Sequence, residues 1–117
     1  MNVESKLYLT GPDGRRIFGP GPAELLEHVD RCGSLRSAAL EMGLSYSKAL
    51  KMIRHAEQGL TSPLLSSESG GNGGGRSAIT PQARQLLDWF SHCRQAAQTA
   101  VEAQMADGFP WQSPHLK

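Results

Sequence analysis

The spacing of apolar positions changes along this chain, and each change predicts an element. In Lys6-Leu7-Tyr8-Leu9-Thr10 polar and apolar residues alternate, then Gly11-Pro12-Asp13-Gly14 supplies turn chemistry and Arg15-Arg16-Ile17-Phe18 returns. That is a β-hairpin over residues 6–18. Past the break at Gly19-Pro20-Gly21-Pro22 the period lengthens. Leu25, Leu26, Val29 and Cys32 form the stripe of a helix expected to begin near Pro22, with Glu24 and Glu27 close to its positive end. Leu35, Ala38, Ala39 and Met42 then mark a short helix with Ser34 as its cap. Ala49, Leu50 and Ile53 mark another, capped by Ser45 and ending near Gly59. Pro63-Leu64-Leu65-Ser66 and Ser77-Ala78-Ile79-Thr80 read as paired strands around the glycine-rich tip 66–76. Finally Thr80-Pro81 opens the longest helix, 81–105, capped by Thr80. Its near-heptad seam is Ala83, Leu86, Leu87, Phe90, Cys93, Ala97, Ala100 and Val101, with Trp89 off the seam and expected to pack back on the paired strands or the first helix.

The two short helices are joined at Gly43-Leu44-Ser45, where Gly43 can take the positive φ that ends a helix sharply. Two helices on such a turn, brought close by the small pair Ala38-Ala39, form a helix-turn-helix whose second member is free to enter a DNA major groove. The outer face of that helix, 45–58, carries Ser47, Lys48, Lys51, Arg54 and His55, donors able to reach phosphates and base edges. The bland alternative is a solvated polar face. A ribbon directly after a recognition helix is a wing, although by composition alone its tip is a flexible linker.

Composition sharpens this picture without redirecting it. At 117 residues, 38% hydrophobic and 20% charged, the chain is sized for one domain with a modest core. A formal net charge of +1 argues against indiscriminate attraction to nucleic acid, yet between Arg31 and His55 the bases Arg31, Arg36, Lys48, Lys51 and Arg54 face a single acid, Glu41. Cys32 and Cys93 lack a paired spacing and read as reduced thiols of a cytoplasmic protein. No signal peptide and no membrane-spanning stretch is expected. Gly70-Gly71-Asn72-Gly73-Gly74-Gly75-Arg76-Ser77 mimics a phosphate-binding loop with Arg for Lys, but a strand rather than a helix follows it, so nucleotide hydrolysis is not expected. His28 and Cys32 have a two-ligand helical spacing with no further ligand close in sequence, and no nucleophile lies beside a base, so neither a metal, a cofactor nor an enzyme activity is expected. A small metal or redox sensor using His28, Cys32 and Cys93 is the weakest alternative.

Beyond these patterns, the chain resembles the N-terminal DNA-binding domain of ModE-type molybdate-responsive regulators. The likeness is carried by Gly33-Ser34-Leu35, Ala38-Ala39, Met42-Gly43-Leu44-Ser45-Tyr46, Ala49-Leu50 and Ile53, and by Pro63-Leu64-Leu65, the Gly-Gly-x-Gly-Gly-Gly tip, Ile79-Thr80-Pro81 and Leu86-Leu87. LysR-type regulators have a similar winged helix without this wing. The resemblance implies a dimeric winged-helix DNA-binding protein. In it Ser45 to Arg54 face the groove, Tyr46 sits at the boundary with its hydroxyl outward, and Gly70 to Arg76 form the wing tip. The chain departs from the family pattern at Asn72, where a base is usual, and at Arg76, Leu50 and Ala83, which bears on wing contacts and operator sequence rather than fold. Full-length members continue into oxyanion-binding domains, and this chain is expected to be a stand-alone form without them.

The resulting expectation is a mainly α fold with small β elements: a winged helix-turn-helix with an N-terminal β-hairpin and a long C-terminal dimerisation helix, over residues 1–106, then an irregular tail over 107–117. Double-stranded DNA is the expected partner, contacted by Arg36, Ser45, Tyr46, Ser47, Lys48, Lys51, Arg54, His55, Asn72 and Arg76. Leu86, Phe90, Cys93, Ala97 and Val101 are expected to join two copies as a homodimer. The competing class is a winged-helix protein-interaction module that has lost DNA affinity.

Overall fold

Four helices and two antiparallel hairpins follow one another in the computed structural model, which describes residues 1–68 and 76–111. Strands β1 (Leu9–Thr10) and β2 (Arg16–Phe18) form the first hairpin. Helices α1 (Pro20–Cys32), α2 (Leu35–Glu41) and α3 (Tyr46–Leu60) come next. Strands β3 (Leu65–Glu68) and β4 (Arg76–Ile79) pair in register Leu65 to Ile79 and Glu68 to Arg76, and α4 (Pro81–Gly108) closes the fold. The winged helix-turn-helix is therefore as expected. The wing tip, Asn72 included, and the tail from residue 112 lie outside the described residues.

Local chemistry fixes the helix starts. The side chains of Ser34, Ser45 and Thr80 accept the N–H groups of Ser37, Lys48 and Ala83 at 3.0, 3.1 and 3.0 Å, satisfying donors that a helix start leaves open. Gly43 has φ +69, the left-handed conformation that turns the chain from α2 toward α3. Helix α1 begins at Pro20 instead of near Pro22, because either proline suits a first turn. The earlier start leaves Glu24 and Glu27 beyond the first turn, where the helix dipole is weaker.

One core joins all the elements. Phe18, Leu25, Leu26, Val29, Ile53, Leu64 and Phe90 are its largest fully buried side chains. Phe18 and Phe90 meet edge to face with centroids 5.1 Å apart, fastening α4 to the hairpin. This moves Phe90 out of the expected dimer seam: at 1% exposure it is used up inside its own chain. Trp89, expected to pack back on the body, is 51% exposed. The molecule measures 68 × 31 × 22 Å, since the 28 residues of α4 extend about 42 Å and outrun the body. Along the second half of α4 runs the N-terminal segment. Gln98 accepts from the Ser5 N–H and hydroxyl, each at 2.9 Å, and donates to the Val3 carbonyl at 2.7 Å.

Candidate nucleic-acid interface

Helix α3 buries Ala49, Ile53 and Ala56 against the core, and this fixes which side faces outward. Ser45, Tyr46, Ser47, Lys48 and Lys51 are exposed together at its N-terminal half. Neither Lys48 nor Lys51 enters an ion pair among the described residues, so both ammonium groups are available to a partner. Tyr46 is 42% exposed, and the Arg36 guanidinium from α2 lies 4.7 Å from its ring centroid. This cation–π contact sets a second base beside the first turn of α3. Arg76 is exposed at the start of β4.

Two expected contacts have other uses. A ring N–H of His55 donates to the Arg16 carbonyl at 2.9 Å. The hairpin lies over the C-terminal half of α3, and the exposed His55 helps to dock it there. The hairpin can approach because residue 59 is glycine: a Cβ there would stand 2.5 Å from Ile17 Cγ2. Arg54 is exposed, but its guanidinium holds Glu57 at 2.9 Å.

Glu57 is the residue that sequence reasoning passed over. One oxygen binds Arg54, and the other accepts the N–H groups of Leu64 and Leu65 at 2.8 and 3.2 Å. It thereby ties the recognition helix to the first strand of the wing. Burial alone raises its pKa, but the bonds from the Leu64 N–H, Arg54 and the Leu65 N–H together outweigh this and hold the carboxyl below its usual range. Thr80, at the start of α4, donates its hydroxyl to the Pro63 carbonyl at 2.8 Å and its N–H to the Leu64 carbonyl at 3.0 Å, holding the base of the wing. The Ser77 N–H meets the Gly33 carbonyl at 2.9 Å and joins the wing to the α1–α2 turn. A glutamate among the polar residues of an amphipathic helix carries no local signal of such a role.

Helices α1 and α2 bring together His28, Cys32 and Glu41. His28 Nδ1 lies 2.6 Å from Glu41 Oε1, and Glu24 faces Nε2 at 3.7 Å. Hydrogen bonds from His28 and Cys32 hold the Glu41 carboxyl low, while burial and the Glu41 carboxylate push the Cys32 thiol up. The sequence offered only the His28–Cys32 pair, because Glu41 reaches it across the α1–α2 turn.

A tight helix-turn-helix, an open basic face on its second helix and a wing braced to that helix define a DNA-reading regulator. The model of the bacterial regulatory helix-turn-helix proteins of the lysR family matches residues 23–84, and the chain belongs to that family. The matched region is the DNA-binding helix-turn-helix of that family, and two of the relatives are named transcriptional regulators. The chain is similar to the molybdenum-pterin-binding protein MopB of Rhodobacter capsulatus, 34% identical over 89 residues, covering 76% of this chain and 30% of MopB. It is 28% identical over 97 residues to the transcriptional regulator ModE of Haemophilus influenzae, covering 83% and 38%. With the DNA-binding transcriptional dual regulator ModE of Escherichia coli it shares 27% identity over 101 residues, covering 86% and 38%. The chain thus spans about a third of the length of the curated relatives it matches. Among the described residues no helix is long and apolar enough to cross a membrane.

Proposed function

We propose that the chain acts in the cytoplasm as a homodimer that binds a roughly palindromic DNA duplex. The N-terminal half of α3 lies in the major groove. Ser47, Lys48 and Lys51 face base edges and phosphates, while Arg36, Tyr46 and Arg76 hold the backbone on either side. Arg54 and His55 set the helix against the wing and the hairpin. The observation that carries this reading is the open pair Lys48 and Lys51 on the face that α3 turns away from its core. Molybdenum appears in the names of two relatives, MopB and the molybdenum transport protein ModE of Herbaspirillum seropedicae. We extend that theme to the genes this chain controls.

Dimerisation runs along α4, on a face rotated from the seam read from sequence and sharing Leu86, Cys93 and Ala100 with it. Leu86, Trp89, Cys93, Ala96, Ala100 and Ala103 recur at intervals of three and four, the spacing of a coiled-coil stripe. Trp89, Ala96, Ala100 and Ala103 are exposed, whereas Ala97 and Val101 lie closer to the chain's own body. Selection from a random pool of duplexes at low salt tests the whole reading. Enrichment of a palindrome, lost steeply as salt rises, is the expected result. Weak, uniform retention of all sequences contradicts it.

A further inference from the structure

We propose that His28, Cys32 and Glu41 form a binding site for a divalent transition-metal ion of the zinc class, which staples α1 to the first helix of the helix-turn-helix. One imidazole nitrogen, one sulfur and one carboxylate oxygen are a donor set that zinc and its neighbours accept. The three ligand atoms all lie within 4.8 Å of one another. A tetrahedral ion with bonds of about 2.0–2.3 Å needs ligand separations of about 3.3–3.8 Å. His28 Nδ1 and Glu41 Oε1, now 2.6 Å apart, have to open to that spacing, and Glu41, 51% exposed, is free to make the adjustment.

The surroundings suit a cation. His28 turns Nδ1 toward Glu41, so an ion replaces the hydrogen bond between them once the two atoms separate. The other His28 nitrogen has the Glu24 carboxylate 3.7 Å away, a charge that favours a cation on the imidazole. With Cys32 as thiolate and Glu41 ionised, a divalent ion makes the cluster neutral. Arg31, whose guanidinium lies 3.0 Å from Nδ1, is exposed and has to leave that nitrogen when an ion binds. The His28 side chain is 17% exposed, so the ion is shielded but reachable from solvent. Three protein ligands leave a fourth position for water, the mark of an exchangeable site instead of a closed structural one. The ion bridges α1 and α2 directly across the Gly33 turn, whose carbonyl also receives the wing strand through Ser77.

The test is titration of the purified, reduced chain with Co²⁺, followed by Zn²⁺ competition. Binding of about one ion per chain is expected, with a near-ultraviolet sulfur-to-cobalt charge-transfer band that Zn²⁺ abolishes. Cys32→Ser removes that band, and His28→Gln and Glu41→Gln each weaken binding by about tenfold or more. Cys93→Ser leaves both band and affinity unchanged. Circular dichroism and thermal melting of each variant without metal show whether it is folded. The melting temperature of the unsubstituted chain rises with Zn²⁺, and that of folded Cys32→Ser does not. Absence of the band in the unsubstituted chain, its persistence in Cys32→Ser, or its loss in Cys93→Ser overturns the site.

Discussion

Lys48 and His55 share a helical face in the sequence, seven residues apart, but have different surroundings in the fold. Lys48 is exposed and outside every ion pair among the described residues, whereas His55 is bonded to the Arg16 carbonyl. They therefore separate under mutation. His55→Ala is expected to lower stability by about 0.5–1.5 kcal/mol, one hydrogen bond's net contribution, and to leave the salt dependence of DNA binding unchanged. Denaturant unfolding and a salt titration of duplex affinity measure the two effects side by side. A flattened salt dependence without loss of stability returns His55 to the groove. Sequence spacing made both residues legible as a face, and only the hairpin's position distinguishes them.

At the scale of elements, the joint between α3 and the wing rests on one side chain. Glu57 closes it through two backbone N–H groups and Arg54, with its side chain 13% exposed. Glu57→Gln is expected to destabilise the fold by about 1–3 kcal/mol, because hydrogen bonds to a charged acceptor are replaced by weaker ones. The pH dependence has a definite sign. The folded-state pKa of Glu57 is lowered, so its contribution is fully present above the ordinary carboxylate range and disappears as pH falls through the lowered value. Thermal melts between neutral and acid pH should show a shallower acid-side loss in Glu57→Gln, and an identical acid arm contradicts this role. Gly59→Ala places a methyl group against Ile17 and is expected to cost about 1–3 kcal/mol by pushing the hairpin off α3. A melting temperature equal to that of the unsubstituted chain contradicts the close approach. The elements themselves were legible because their signals are local: Ser34, Ser45 and Thr80 cap within three residues, and Gly43 turns the chain by its own φ. Glu57 with Leu64, Phe18 with Phe90, and His28 with Glu41 are meetings between elements, and no short window of sequence encodes them.

At the scale of the molecule, the elongated shape follows from α4 outrunning its own core. Sequence periodicity revealed that helix but counted Phe90 in its outward seam, because a large apolar residue carries the same periodic signal whether it faces a partner or the chain's own core. Trp89→Glu is expected to convert a dimer into a monomer in sedimentation equilibrium without lowering helix content. A dimer that survives the substitution places the interface elsewhere. Such a dimer presents two copies of α3 to one duplex, so each lysine of the recognition face counts twice. The most direct test of DNA binding through this face is the salt dependence of affinity for the selected duplex, compared between the unsubstituted protein and Lys48→Ala/Lys51→Ala. Each phosphate neutralised adds about 0.9 to the slope of log affinity against log salt. The doubly substituted dimer is therefore expected to bind more weakly, with a slope shallower by about two to four. Unchanged affinity and unchanged slope would contradict the assignment of α3 to the groove.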